Sequence, residues 1–344
     1  DGFGSEWGKI RYADLHCPTD GTIPGVELVK VLKEQAEKNG IEIRYNSPAV
    51  DLIADESGRV SGVQVKDANG EYTIDAQAVI LATGGFESNP EMIAKYDNPG
   101  LAHIHLAPSQ GNMGDGIVMA EKLGAELRNM DLIQLSCAVA PFSIQMQLPI
   151  KNNGVVFINK EGKRFTNEYS EASSDRRITE DILKQTDAEC FGVYNETIYQ
   201  TFMAIEEKDF FDEYRMTGID NSGTVIKADT LEELAEKTGM KADQLKATIA
   251  NFNDYAKQGT DEQYHRDGET MRPFDGTKYY AFPVKAEILN TQGGPKRNEN
   301  AEILDVKGNP IPHLYSAGEM GGITSEHYQG GTNLAECIIF GQIA

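Results

Sequence analysis

The sequence lacks long hydrophobic runs, clustered cysteines and an excess of basic residues. No apolar stretch approaches the roughly 18 residues that a membrane-spanning helix needs. The 4 cysteines are far apart and form no Cys-x-x-Cys pair, which predicts neither a disulfide framework nor a zinc site. The 6 histidines are scattered as well, so no metal site is expected from them. Acidic residues outnumber basic ones by 54 to 32, and a net charge of −22 argues against binding to nucleic acid.

The residues that are present suit a globular protein of more than one domain. Hydrophobic residues make up 40% and charged residues 25% of the 344-residue chain, a usual balance for a folded protein. This length allows two domains with a buried core each. The sequence also changes in character over about 135–288, where glycine turns and short strands give way to polar stretches and clearer helices.

Local patterns predict several short elements. An amphipathic helix is expected over 25–39, followed by a strand over 41–45. The continuous apolar run over 78–82 is typical of a buried strand, and it leads directly into Thr83-Gly84-Gly85. A glycine-rich loop over 111–116 comes before a predicted helix. Such loops let a backbone approach a phosphate or a cofactor closely, although each could also be a structural turn.

The carboxyl-terminal part carries the strongest signal. A short strand ends in Ala317-Gly318-Glu319, and Gly330-Gly331 lies ahead of an apolar helix predicted over 337–343. Glycines at the start of a helix expose free N–H groups and the positive end of its dipole. This arrangement favours binding of a developing anion, such as the one on a reduced flavin.

Taken in order, these motifs resemble the landmarks of one family. The matching segments are Ile80 to Phe86, Gly114 to Gly116, Gly162 to Glu168, Gly293-Gly294, Ala317 to Glu319 and Gly330-Gly331. As a set they are similar to the fumarate reductase and succinate dehydrogenase flavoprotein superfamily. The resemblance implies an α/β fold with a discontinuous FAD-binding domain, over 1–134 and 289–344, and an inserted α+β capping domain over 135–288.

The same resemblance implies FAD as the cofactor and a small-molecule substrate held between the two domains. The residues expected to bind FAD are Val50, Ala82, Thr83, Gly84, Gly85, Asp115, Asn290, Glu319, Gly330, Gly331, Asn333 and Leu334. It also implies an electron donor that carries haem or FMN. We expect no nucleic-acid partner and no membrane span, and the sequence does not indicate a cellular compartment.

One departure from the family pattern concerns the FAD diphosphate. The opening strand–GxGxxG–helix unit of the family has no counterpart in these 344 residues, so the FAD-binding domain is incomplete. We therefore expect this chain by itself to bind FAD weakly or not at all.

Further departures concern the substrate. Dicarboxylate-reducing relatives hold the substrate with histidines and arginines, but Ser136, Leu289 and Tyr328 occupy the matching positions. The arginine that donates a proton in those enzymes matches Arg176 loosely, with Arg177 as the alternative. Losing the polar partners of a dianion argues against fumarate or succinate as the substrate.

The tail instead resembles that of 3-ketosteroid dehydrogenases, which implies that Tyr328 donates a hydrogen bond to a ketone oxygen. Three hypotheses therefore stay open. The first is an ene-reductase or dehydrogenase acting on an apolar or aromatic enone or enoate. The second is a fumarate- or urocanate-like carboxylate reductase that uses Arg176 or Arg177 as proton donor. The third is an inactive, flavin-free fragment.

Overall fold

A computed structural model of the chain describes residues 24–106, 111–139, 144–145, 154–169, 176–200, 223–276, 278–326 and 332–344. The helices with assigned bounds in this part of the chain are α1 (Pro24–Lys38), α2 (Pro90–Tyr96), α3 (Asp115–Lys122), α4 (Arg176–Leu183), α5 (Leu231–Thr238), α6 (Ala242–Gln258) and α7 (Thr332–Ile343). Short 3₁₀ turns lie at Pro99–His103, Thr186–Ala188 and Gly268–Thr270. None of the helices described is long and apolar enough to cross a membrane.

The strands fall into four sheets. They are β1 (Ala49–Ala54), β2 (Val60–Asp67), β3 (Gly70–Asp75), β4 (Val79–Leu81), β5 (His105–Leu106), β6 (Leu127–Arg128), β7 (Ile133–Val139), β8 (Ile144–Gln145), β9 (Val156–Asn159), β10 (Glu189–Asn195), β11 (Ile226–Ala228), β12 (Tyr279–Thr291), β13 (Gly294–Pro295), β14 (Glu302–Leu304) and β15 (Pro310–Ser316). The fold is thus mixed α/β, as the sequence predicts.

The largest sheet is organised around β12. Its order is β8-β7-β12-β10-β9, and both β11 and β5 also pair with β12. Every residue of β7 is buried, as expected for a strand covered on both faces. A separate antiparallel sheet has the order β1-β2-β3, and β6 pairs with β13.

The described residues form two hydrophobic cores, and the boundary between them crosses β7 near residue 136 and β12 near residue 287. Buried residues of one core come from 137–286. Those of the other come from 52–135 and 288–320. Because the chain passes from one core to the other at only two places, we propose that they correspond to a capping domain and a discontinuous FAD-binding domain.

A buried ionic network fixes the first core. Arg164 Nη2 lies 2.8 Å from Glu168 Oε2 and 2.9 Å from Asp261 Oδ2, and Arg266 Nη1 lies 3.1 Å from the same Glu168 oxygen. Burial opposes ionisation of Glu168, but the two guanidinium groups outweigh it and lower the pKa of this carboxyl. The network ties residues 164–168 to the turn that follows α6.

The amino-terminal part differs from the sequence expectation in two ways. The residues of 41–45 form no strand, because no neighbouring strand pairs with them in the described chain and their side chains are exposed. Helix α1 forms as predicted, but its apolar residues are not buried: Val29 is 65% and Leu32 59% exposed. Ile80 on β4 and Ile338 on α7 are also largely exposed.

Candidate functional site

Two parallel strands bring the main glycine loops together. β4 pairs with β15, with Ile80 opposite Tyr315 and Leu81 opposite Ser316. Both strands therefore end at the same edge of the sheet, where ligands of α/β folds commonly bind. The loop after β4 is Ala82-Thr83-Gly84-Gly85, and the loop after β15 is Ala317-Gly318-Glu319. The N–H of Ala317 donates to the Leu81 carbonyl at 3.1 Å and joins the two loops at their start.

Gly85 lies at the most crowded point of this junction. A Cβ built on Gly85 would be 2.1 Å from Thr291 Oγ1 and 2.6 Å from Glu319 Oε1. The space is filled by hydrogen bonds instead: the Phe86 N–H donates to Thr291 Oγ1 at 3.0 Å, and the Thr291 N–H donates to Glu319 Oε1 at 2.9 Å. The end of β12 is thereby attached to both glycine loops.

Helix α3 begins at the same junction. Its N-cap, Gly114, has a left-handed backbone with φ of 80°, and the Gly114 N–H donates to the Gly85 carbonyl at 3.1 Å. Within the first turn, Gly116 allows Thr83 to approach, since a Cβ there would be 2.3 Å from Thr83 Oγ1. Asp115 and Thr83 remain exposed, so the first turn of the helix is open to a ligand beside the loop.

Amide and hydroxyl side chains connect the amino end of α7 to the end of β12. Gln292 Nε2 donates to Asn290 Oδ1 at 2.9 Å, and Thr324 Oγ1 donates to Asn333 Oδ1 at 3.1 Å. Asn333 Nδ2 also lies within 3.4 Å of Gln134 Oε1 on β7. Two of the predicted residues, Asn290 and Asn333, thus belong to one polar cluster that spans β7, β12 and α7.

A buried ion pair supports the Glu319 loop from behind. Arg297 Nη1 donates to the Met320 carbonyl at 2.8 Å and to the Gly318 carbonyl at 3.3 Å. The same guanidinium pairs with Glu336 on α7, and Glu336 accepts the Ile323 N–H at 3.1 Å. The pair therefore holds the loop on both sides of Glu319 and ties it to α7.

Two acidic side chains at the junction, Glu87 and Glu319, both have raised pKa values. Burial and the neighbouring Glu87 raise the pKa of Glu319 to about 8. Burial also raises the pKa of Glu87, against the hydrogen bond that Asn112 donates to it. Sequence analysis missed Glu87, Asn112 and Thr291, although Glu87 directly follows the recognised Gly84-Gly85-Phe86.

The two candidate arginines lie on α4 and are held in different ways. Arg176 Nη2 is 2.8 Å from Asp97 Oδ1 and its Nε is 2.8 Å from Glu180 Oε1. The bond to Asp97 is the main reason that the pKa of Arg176 is raised, which works against proton donation. Arg177, with a side chain 46% exposed, donates mainly to Thr166 Oγ1 and to backbone carbonyls. A proton-donor role for either arginine stays a prediction.

The remaining predicted residues lie on other elements or outside the described residues. Val50 lies on β1, in a different sheet, and its side chain is 39% exposed. Leu334 lies in the first turn of α7 and is 56% exposed. Tyr328, Gly330 and Gly331 fall outside the described residues.

Comparison with known proteins agrees with this geometry. The family described as "FAD binding domain" matches residues 4–334. A probable fumarate reductase of Shewanella frigidimarina (strain NCIMB 400) is 32% identical over 342 residues, covering 98% of this chain and 55% of the relative. A 3-oxosteroid 1-dehydrogenase of Mycobacterium tuberculosis (strain ATCC 25618 / H37Rv) is 31% identical, covering 93% of this chain and 62% of that protein.

A solved structure is similar as well. The open conformation of a flavocytochrome c3 fumarate reductase superposes with a TM-score of 0.82 at 31% identity. The match covers 95% of this chain and 56% of the flavocytochrome chain. The chain therefore spans little more than half the length of the relatives that it matches.

Proposed function

The chain belongs to the FAD binding domain family, and from this premise we propose that it is the catalytic part of an FAD-dependent oxidoreductase acting on activated C=C or CH–CH bonds. The substrate that we propose is an apolar or aromatic enone or enoate. FAD, when bound, supplies the acceptor or donor of the hydride. The residues of this chain would bind the FAD, orient the substrate and supply the protons.

The junction of glycine loops fits FAD. A side chain at Gly85 would collide with Thr291, and one at Gly116 would collide with Thr83, while Ala82 and Thr83 themselves are exposed. Small residues of this kind let a cofactor ring approach the backbone closely. Glu319 would accept hydrogen bonds from the hydroxyl chain of the cofactor, and the first turn of α3 would face its polar groups.

The observation that carries the choice of substrate is the wall formed by β7 and the end of β12. These strands reach the junction through Gln134, which pairs with Asn290. Residues 133–139 and 286–292 contain no arginine, lysine or histidine. Ser136 and Leu289 stand on this wall where cationic clamps would be needed for a dianion. A neutral enone requires only one donor to its carbonyl oxygen, and we assign that donor to Tyr328.

If the reaction is a reduction, the flavin must receive its electrons from a donor other than the substrate. Two relatives, a cytochrome-type fumarate reductase of Shewanella frigidimarina and an NADH:acrylate oxidoreductase of Vibrio harveyi, are named after two different kinds of source. We propose an external donor that carries haem or FMN for the protein containing this chain.

A substrate screen tests the proposal directly. The flavin-loaded full-length protein that contains this chain is reduced without oxygen, and reoxidation of its flavin is followed after addition of enones, aromatic enoates or fumarate. We expect a 3-keto-enone or aromatic enoate to reoxidise the flavin faster than fumarate. Tyr328→Phe should slow reoxidation by the enone without changing flavin content. Faster reoxidation by fumarate, or an unchanged rate in the Tyr328 variant, would overturn the assignment.

A carboxylate reductase is the second candidate, favoured by the exposed guanidinium of Arg177. The side chain of Arg177 is 46% exposed, whereas that of Arg176 is 20% exposed and lies 2.8 Å from two carboxylates. If a cap arginine donates the proton, Arg177→Gln should lower turnover of an enoate far more than Arg176→Gln does. If both variants lower the turnover only slightly and to the same extent, the carboxylate-reductase hypothesis is wrong.

A further inference from the structure

The carboxyl groups of Glu87 and Glu319 flank the same point of the junction. A Cβ placed on Gly85 would lie 2.6 Å from Glu319 Oε1 and 2.9 Å from Glu87 Oε2. Glu87 is only 3% exposed. One acid follows β4 and the other follows β15, so the pair crosses from one glycine loop to the other.

Donors reach the Glu319 carboxyl and one oxygen of Glu87, but not the second oxygen of Glu87. The Thr291 N–H serves Glu319 Oε1 at 2.9 Å. Asn112 Nδ2 donates to Glu87 Oε1 and lies at 3.5 Å from Glu319 Oε2. Glu87 Oε2 is buried and has no donor among the described residues. A buried carboxylate oxygen without a donor is costly, and the charge of Glu87 also raises the pKa of the neighbouring Glu319 carboxyl.

The loops that carry the pair supply no cation: residues 82–89, 111–115, 290–292 and 317–322 contain no lysine, arginine or histidine. Arg297 lies behind the Glu319 loop, but its guanidinium donates to the Gly318 and Met320 carbonyls and pairs with Glu336 on α7. The other titratable groups on these elements and on α7 are Asp115 and the Cys337 thiol, neither of which is positive. The described residues also offer no group of three or more acidic, histidine or cysteine side chains that could hold a metal ion.

We propose that Glu87 and Glu319 share a single proton, and that this proton locks the two glycine loops together on the face that receives the cofactor. The proton would satisfy Glu87 Oε2 and turn a repulsive contact into a hydrogen bond. Glu87 is then a positioning residue for Glu319. The lock is a property of the protein itself and does not depend on the substrate.

The lock makes stability depend on pH in a defined direction. The pKa of Glu319 rises from 4.5 to about 8 on folding. A carboxyl with a raised pKa contributes fully below its unfolded pKa, and its contribution is lost as the pH rises through the folded pKa. For one proton, the ratio of folded to unfolded protein falls by up to about tenfold per pH unit between the unfolded pKa of 4.5 and the folded pKa of about 8.

The test uses urea unfolding of this chain at several pH values between about 5 and about 9. Glu87→Gln supplies an amide N–H in place of the shared proton. In the wild type the ratio of folded to unfolded protein falls as the pH rises across this range, and we expect that fall to be smaller in the variant by at least about tenfold. The exposed Glu262→Gln is the matched control and should keep the wild-type dependence. Equal pH dependence in the Glu87 variant and the wild type would overturn the shared proton.

An infrared measurement keeps the proposal testable if the variant does not fold. Wild-type protein at neutral pH should show the C=O absorption of a protonated carboxyl that disappears as the pH passes about 8. Glu319→Gln and Glu87→Gln should each lack this pH-dependent band, whereas Glu262→Gln should retain it. A wild-type spectrum without such a band, or a band that persists in both pair variants, would contradict the proposal.

Discussion

Substituting alanine for Gly85 is the most direct test of how tightly the loop junction is packed. The new methyl group would be placed 2.1 Å from Thr291 Oγ1, 2.6 Å from Glu319 Oε1 and 2.9 Å from Glu87 Oε2. Each distance is well inside van der Waals contact. None of the three neighbours can move away freely, because each is buried or hydrogen-bonded at the junction.

The magnitude follows from two costs. Inserting a methyl group into a well-packed site costs about 1–3 kcal/mol. Displacing Thr291 also weakens the hydrogen bond that it accepts from Phe86, which is worth about 0.5–1.5 kcal/mol. We therefore expect Gly85→Ala to lower the free energy of unfolding by about 2–4 kcal/mol.

Gly111→Ala provides the matched control. It is also a loop glycine, but a Cβ at Gly111 meets no described residue within 4 Å. We expect this variant to unfold within about 0.5 kcal/mol of the wild type in urea, as ordinary surface substitutions do. If Gly85→Ala is equally mild, the three close approaches do not exist in solution and the junction is looser than described here.

Three further predictions concern charge and cofactor. Arg297→Met or Glu336→Met alone should cost about 3–5 kcal/mol of unfolding free energy in urea, because each leaves a buried charge unpaired; the double variant should cost less than either. In the core built from 137–286, Glu168→Gln should cost about 3–5 kcal/mol since Arg164 loses a buried partner, whereas Glu262→Gln should be neutral. Titration of this chain with FAD should show no stoichiometric binding by absorbance or fluorescence, because no GxGxxG unit holds the diphosphate; saturation at one equivalent would contradict this.

The parts of the site that sequence predicts are those with a local signature. The apolar run over 78–82 identifies β4, and a strand followed by small residues gives Thr83, Gly84 and Gly85 directly. Gly114 and Asp115 are likewise found from a glycine loop that opens a helix. In each case the residue type and its neighbours in sequence already restrict the backbone.

The parts that sequence does not predict depend on contacts between distant segments. Glu87 becomes a partner of Glu319 only because β4 and β15 pair in parallel. The register of that pairing cannot be predicted from the residues of either strand alone. Arg297 and Glu336 meet for a similar reason, through the packing of α7. The apolar pattern of α1 predicted a helix correctly but not its burial, since periodicity describes a face and not what covers it.

The exposed apolar residues of α1, β4 and α7 also affect how copies of this chain behave toward one another. Val29, Leu32, Ile80 and Ile338 present surface that attracts apolar partners. The net charge of −22 opposes such contacts by repulsion between copies. Salt screens this repulsion over a Debye length of about 10 Å at 0.1 M, and acidification toward the isoelectric point of about 4.7 removes it. Colloidal stability of this chain is therefore a balance between charge and exposed apolar surface, independent of how firmly each copy is folded.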